Sequence, residues 1–284
     1  MGFAVGDALG MPVEGMSRED IRRIYGRVED YLPSPYGDLK EGEWTDDTEQ
    51  MLILAESILE RVYFDPEDFS KRLAMISSTR IGPTTRRALL NLHRGWRHSG
   101  VDSDTCGSAM RVLPIGLVYS FSLDLVEKYA YISSIVTHRG VAVWGAVAMA
   151  IGVACVVEGA GVEEVVEEVC KRVEDELLRE KIELAYELED VDEAIDRIGT
   201  SMSVYESVPF AFYCFFSSKS FEECALKAVN AGGDTDTICA MACGLKGCEL
   251  GFDAIPKRWV ERLKDVDRII EIADKLYELH RRIR

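Results

Sequence analysis

Glu49-Gln50-Met51-Leu52-Ile53-Leu54-Ala55-Glu56-Ser57-Ile58-Leu59-Glu60-Arg61-Val62 places apolar residues at 51, 52, 54, 55, 58, 59 and 62, the spacing of one helix face. A second stretch with this period, 260–283, carries Leu263, Val266, Ile269, Ile270, Ala273, Leu276, Leu279 and Ile283. A third, 140–157, runs for 18 residues without a charge between Arg139 and Glu158. Its many glycines and alanines make it weakly apolar for a bilayer span at the lower length limit, so it is read as a buried central helix. No set of alternating strands with Asn-Gly or Asp-Gly turns competes, although Val208-Pro209-Phe210-Ala211-Phe212 reads as locally extended. The sequence predicts an all-α fold.

Pro33-Ser34-Pro35-Tyr36-Gly37, Gly82-Pro83 and the polar stretch 97–104 separate the helical segments, and none is long or biased enough to be a linker. Without a fixed-period repeat or low-complexity tract, the simplest organisation is a single domain over 1–284.

With 284 residues, 47% hydrophobic and 29% charged, the chain can bury a sizeable core and is neither disordered nor fibrous. Fifty acids against 33 bases give a net charge of −17, the wrong sign for a surface that neutralises nucleic-acid phosphates or an anionic membrane. Residues 163–197 hold fifteen acids and five bases, with Val162, Val165, Val166, Val169 and Val173 at helical spacing, which reads as a solvated amphipathic face. Eight cysteines without a C-x-x-C pair suit a reducing compartment, and the opening Met1-Gly2-Phe3-Ala4-Val5-Gly6 has no basic leader ahead of an apolar run. A cytoplasmic location is expected.

Two acidic islands stand ahead of apolar helices: Trp44-Thr45-Asp46-Asp47-Thr48-Glu49 and Gly232-Gly233-Asp234-Thr235-Asp236-Thr237. Helix capping explains either island alone, since Thr and Asp are favoured N-caps and Asp46 with Glu49 has the offset of a capping box. A cap needs one oxygen, whereas each island offers two carboxylates and neighbouring hydroxyls without a Lys or Arg. Buried carboxylates need compensation, and a hard divalent cation takes such oxygens. If the two helix starts meet, Asp46, Asp47, Asp234 and Asp236 suffice for two ions about 3.5–4 Å apart. Gly232 and Gly233 allow left-handed backbone there, and the small side chains after Thr237 let neighbouring backbones approach.

A third island, Gly6-Asp7-Ala8-Leu9-Gly10-Met11-Pro12-Val13-Glu14, ends in a lone carboxylate in an apolar, Gly-rich setting. Glu14 is thus a candidate general acid or base; a surface glutamate in a turn fits the same residues. Cys106-Gly107-Ser108-Ala109-Met110-Arg111 could cradle a phosphate through backbone N–H groups, and Thr137-His138-Arg139 could supply a nucleotide contact. Walker A, dinucleotide and H-E-x-x-H motifs are missing.

Taken in order, these pieces resemble the ADP-ribosylglycohydrolase family. The resemblance runs from Gly6-Asp7-Ala8-Leu9-Gly10 through Trp44-Thr45-Asp46-Asp47-Thr48, Gly82-Pro83-Thr84-Thr85, Ser108-Ala109-Met110-Arg111 and Thr137-His138 to Gly233-Asp234-Thr235-Asp236-Thr237, and so covers most of the chain. It implies an all-α orthogonal multi-helix bundle with two divalent cations, Mg2+ or Mn2+, held through Thr45, Asp46, Asp47, Asp234, Asp236 and Thr237. It further implies that Glu14 is the acid beside the scissile bond, with Asp47 and Asp234 in the catalytic set, and that Gly82, Ser103 and His138 contact ADP-ribose. Cys106-Gly107 stands where the family often has Asn-Gly. The implied reaction is hydrolysis of the glycosidic bond of an ADP-ribosyl group on a protein side chain or small molecule. A metal-dependent nucleotide pyrophosphohydrolase and a non-catalytic ADP-ribose binder are the alternatives, because fold does not fix activity.

Overall fold

The computed structural model describes residues 1–95 and 98–284; Trp96 and Arg97, the latter in the expected 97–104 breaker, lie outside the described residues. The chain is 67% helical, and the described residues form sixteen α-helices and two short strands. The fold is all-α, as expected. Two compact units are formed: Met1–Thr45 with Leu177–Val266, and Asp46–Glu176 with Asp267–Arg284.

In the first unit, the Gly2–Gly10 helix runs along the Thr235–Leu250 helix. Its glycines at 2, 6 and 10 recur every four residues and share one face. A Cβ on Gly6 would sit 2.3 Å from the Cys239 carbonyl oxygen, and one on Gly10 would sit 2.2 Å from that of Thr235. The two backbones therefore touch directly, which a side chain on this face would prevent. The Thr235 hydroxyl donates to the Gly10 carbonyl at 2.9 Å, satisfying an acceptor at a helix end.

Two expectations fail in this unit. The 208–212 segment is not extended but lies within the Val204–Phe216 helix, with Pro209 inside it. Burial of Val208, Phe210, Phe212 and Phe215 outweighs the one helical hydrogen bond that Pro209 removes. The 260–283 stretch is not one helix either: a short Lys257–Val260 helix precedes Val266–Ile283, and Asp265 between them has φ 57°. Lys264 donates its N–H to the Gly42 carbonyl at 2.9 Å and accepts from Trp44 Nε1 at 3.1 Å, so tertiary bonds replace helical ones at this break.

In the second unit, the Ala142–Val157 helix is buried at 142, 143 and 145–156 and packs against the Leu113–Tyr119, Leu123–Ile135 and Val162–Arg172 helices. Among the described residues, no helix is long and apolar enough to cross a membrane. Of the acidic stretch, the Val162–Arg172 helix lies in this unit and buries Val165, Val166 and Val169 as its spacing predicts, whereas the Val191–Ile198 helix and all but the first residue of the Glu176–Glu187 helix belong to the first unit. The Asp46–Arg61 helix begins before the apolar periodicity does, so Asp46, Asp47 and Glu49 lie in its first turn. The strands Val101–Asp102 and His138–Arg139 are parallel and pair Val101 with His138.

Candidate active site

The first unit gathers three acids. Glu14, Asp234 and Asp236 each present a carboxylate oxygen within 4.8 Å of the other two. Reciprocal backbone bonds tie their segments together: Gly15 N–H to the Gly233 carbonyl at 2.8 Å, and Gly233 N–H to the Met16 carbonyl at 2.9 Å. Gly232 and Gly233 have φ values of 83° and 79°, and a Cβ on Gly233 would lie 2.1 Å from the Thr200 carbonyl oxygen. Left-handed backbone and close approach both require glycine here, as the sequence suggested.

Capping does not account for the second island. Asp234 occupies the N-cap of the Thr235–Leu250 helix, yet its side chain makes no capping bond, and Asp236 Oδ1 accepts the adjacent Thr237 N–H at 2.9 Å. Glu14 is exposed in a turn, the second of the two settings its sequence allowed, and stands with two other acids rather than alone. Oxygen ligands of one divalent ion lie roughly 3–5 Å apart, so the spacing and the all-carboxylate donors of this trio fit a hard cation.

In the same unit, both carboxylate oxygens of Asp7 accept the Thr45 N–H, at 3.0 and 3.1 Å. Asp7 is fully buried in the otherwise apolar Gly2–Gly10 helix. The sequence assigned Asp7 no role, though a carboxylate among eight apolar and glycine residues was the available signal.

In the second unit, Asp46 and Asp47 are both buried. Gln50, one turn on, donates Nε2–H to Asp46 Oδ2 at 2.8 Å. Glu49 does not reach back as a capping box would: its Oε1 accepts from the Ser77 N–H and hydroxyl, and its Oε2 from the Ser78 N–H. This side chain is occupied in anchoring the 77–78 backbone.

Gly82, Ser103 and His138 belong to connected elements of that unit. Gly82 is the N-cap of the Pro83–His93 helix, with open space where a Cβ would be. Thr84 in that helix shares a hydrogen bond with Ser103 Oγ at 3.2 Å, and Ser103 N–H donates to the Arg139 carbonyl at 3.1 Å. His138 follows through the strand pairing, and a Cβ on Gly107 would sit 2.9 Å from both its Cε1 and Nε2. Burial, then the charge of Arg111, pulls His138 down to about 3, so its imidazole is neutral at physiological pH. The Ser108 hydroxyl is fully buried, donates to the Ala142 carbonyl at 3.2 Å and accepts from Ser134 at 2.8 Å.

Arg111 is the most interior Lys or Arg among the described residues of this unit. It has no exposed surface, its guanidinium lies 5.2 Å from the Phe69 ring centroid, and burial pulls it down to about 9, which leaves it charged at neutral pH. Nη1 donates to Gln50 Oε1 at 2.9 Å; Nη2 donates to the Ser133 carbonyl at 3.0 Å and to Thr137 Oγ1 at 2.7 Å.

Comparison with known proteins bears on these arrangements. The family model described as ADP-ribosylglycohydrolase matches residues 1–284. The chain is 58% identical to an uncharacterized protein of Archaeoglobus fulgidus, over 100% of this chain and 96% of that one. It is 28% identical to the ADP-ribosyl-[dinitrogen reductase] glycohydrolase of Rhodospirillum rubrum, over 96% and 94% respectively. Among solved structures, an ADP-ribosylglycohydrolase-related protein complex matches with a TM-score of 0.85 and 31% identity, covering 98% of this chain and 95% of that one.

Proposed function

Because the chain belongs to the ADP-ribosylglycohydrolase family, a family of hydrolases, we propose that it is a divalent-metal-dependent hydrolase cleaving the glycosidic bond of an ADP-ribosyl group. The observation that carries this reading is the trio Glu14, Asp234 and Asp236, whose carboxylate oxygens lie within 4.8 Å of one another. Thr45, Asp46, Asp47, Asp234, Asp236 and Thr237 are the ligands this reading assigns to two Mg2+ or Mn2+ ions, with Asp47 and Asp234 also in the catalytic set. When bound, the ions supply Lewis acidity and neutralise charge that would otherwise repel a pyrophosphate from a protein of net charge −17.

The protein side chains have separate tasks. Glu14, exposed at the rim of the trio, exchanges a proton with the water that attacks the anomeric carbon or with the leaving group. Asp7 holds the Thr45 backbone in place through its two hydrogen bonds. Gly82, Ser103 and His138 receive the ADP-ribose, the first with its uncovered backbone and the others with hydroxyl and imidazole donors. Substrates are ADP-ribosylated proteins or small molecules containing ADP-ribose, not nucleic acids. The eight cysteines, none in a disulfide among the described residues and six of them buried, fit action in the reducing cytoplasm.

The test incubates the full chain with ADP-ribosyl-arginine, ADP-ribosyl-serine and O-acetyl-ADP-ribose, with and without Mg2+ or Mn2+, and identifies the products. Metal-dependent release of intact ADP-ribose supports the proposal. AMP plus ribose phosphate assigns pyrophosphate cleavage instead, and tight ADP-ribose binding without turnover of any substrate assigns a binding protein.

A further inference from the structure

Asp46, Gln50, Arg111, Thr137 and His138 form one continuous buried hydrogen-bonded chain within the second unit, and three of its four links have a polarity fixed by the donors of Arg111. Arginine has only donors, so Gln50 must turn its carbonyl oxygen toward Arg111, which leaves its NH2 for Asp46 Oδ2. The amide thus converts a donor at one end into a donor at the other. Thr137 makes the same conversion on the opposite side. Its oxygen accepts from Arg111 at 2.7 Å, and among the described residues the acceptor offered to its proton is His138 Nδ1, also at 2.7 Å. A neutral imidazole whose Nδ1 accepts carries its proton on Nε2. That edge faces Gly107, the residue whose missing Cβ leaves room beside Cε1 and Nε2.

We propose that Arg111 is a positioning residue which, through Gln50 and Thr137, orients the Asp46 carboxylate and fixes His138 as an Nε2–H donor toward bound substrate. The inference rests on the reading of Asp46 as a metal ligand and His138 as an ADP-ribose contact. Its physical basis is that a buried guanidinium cannot reorient cheaply: Nη1 and Nη2 are committed to Gln50, Ser133 and Thr137, and the Phe69 ring packs beside them. Both ends of the chain are therefore set before any ligand arrives, and neither Gln50 nor Thr137 needs to touch the ligand to act.

The deciding measurement is the ring tautomer of His138 in the 15N-labelled full chain, read from long-range 1H–15N correlations. Only four histidines are present, and His138→Gln assigns the signal by its loss. The expected result is a protonated Nε2 and an unprotonated Nδ1, with a mixed population in Thr137→Val and restoration in Thr137→Ser. In turnover, Thr137→Val raises KM about tenfold with kcat little changed, as loss of one alignment bond should, and Thr137→Ser recovers it. At the other end, Gln50→Leu weakens Mn2+ binding by calorimetry about tenfold or more. A protonated Nδ1 in the native protein, or a tautomer indifferent to Thr137→Val, overturns the His138 arm; an unchanged Mn2+ affinity in Gln50→Leu overturns the Asp46 arm. Should Arg111→Met fail to fold, these two variants still decide the matter. If no substrate is turned over while the tautomer and Mn2+ results come out as expected, the proposed reaction fails and the positioning chain stands.

Discussion

Replacing Gly6 with alanine sets two effects of opposite sign against each other. In an exposed helix interior the change stabilises by about 1 kcal/mol, because alanine loses less backbone entropy on folding. In this protein the new Cβ would lie 2.3 Å from the Cys239 carbonyl oxygen, 2.6 Å from its carbonyl carbon and 2.9 Å from the Ala240 Cα. Carbon contacts settle near 3.5 Å or more, so the Gly2–Gly10 and Thr235–Leu250 helices must part by about 1 Å. Overpacking costs about 1–3 kcal/mol, and the upper end applies because the obstacle is backbone that has no rotamer to change. The net expectation for Gly6→Ala is a loss of about 2 kcal/mol, the overpacking cost less the helix-propensity gain. Urea unfolding followed by far-UV circular dichroism measures it as a lower midpoint at an unchanged slope. A midpoint that rises would show that the helices do not meet backbone to backbone, and would remove the physical reason for the sequence spacing of these glycines. Gly10→Ala adds a second readout, since its Cβ would lie 2.5 Å from the Asp236 N and Cα. That variant should weaken Mn2+ binding as well as the fold.

Other perturbations address the site directly. Glu14→Gln should lower kcat by about 10²–10⁴ with metal affinity measured in parallel, and near-normal turnover would remove Glu14 from proton transfer. Asp46→Ala and Asp236→Ala should abolish turnover while circular dichroism stays native; full activity in the double variant, shown to lack metal, refutes metal dependence. Asp7→Asn leaves the shape intact but replaces the charged acceptor of the Thr45 N–H, with an expected cost of about 1.5–3 kcal/mol in unfolding free energy. Acid should destabilise the protein through His138, which titrates from 6.5 when unfolded to about 3 when folded. Between these values the unfolded chain binds the extra proton, so stability falls as pH drops, by about 2 kcal/mol at pH 5. His138→Gln should lose that component of the pH dependence, and an identical acid profile in the variant would contradict the burial argument.

The helical class was readable because apolar periodicity at 49–62 and 140–157 reports directly on buried faces, and both stretches are helices. Where tertiary contacts override local preference, periodicity misled. Pro209 sits within a helix because the aromatic residues around it are buried, and the 260–283 pattern breaks where Gly42 and Trp44 claim the backbone of Lys264. The acids were legible by composition: clustered carboxylates without neighbouring bases suggested a cation, and Gly232 and Gly233 announced the turn that brings Asp234 beside Glu14. Residues acting at one remove were not. Gln50 and Arg111 have ordinary local sequence, and their importance arises from a bond across 61 positions; Asp7 stood out by composition, but its partner lies 38 positions away. Glu49 shows the converse, since its spacing matched a capping box while its carboxylate serves Ser77 and Ser78.

The helix–helix contact made by Gly2, Gly6 and Gly10 also governs the order of events during synthesis. Gly10 and its partner Thr235 are separated by 225 residues. At translation rates of about 5–20 residues per second, the earlier helix waits about 11–45 s for its counterpart to be made. Throughout that interval a segment that ends fully buried lacks the helix against which its glycine face packs. Residues 46–176 emerge in the meantime as most of a compact unit. A pulse-proteolysis time course on stalled nascent chains should accordingly find 46–176 protected first, with the leading helix cleavable until the Thr235–Leu250 helix has left the ribosome.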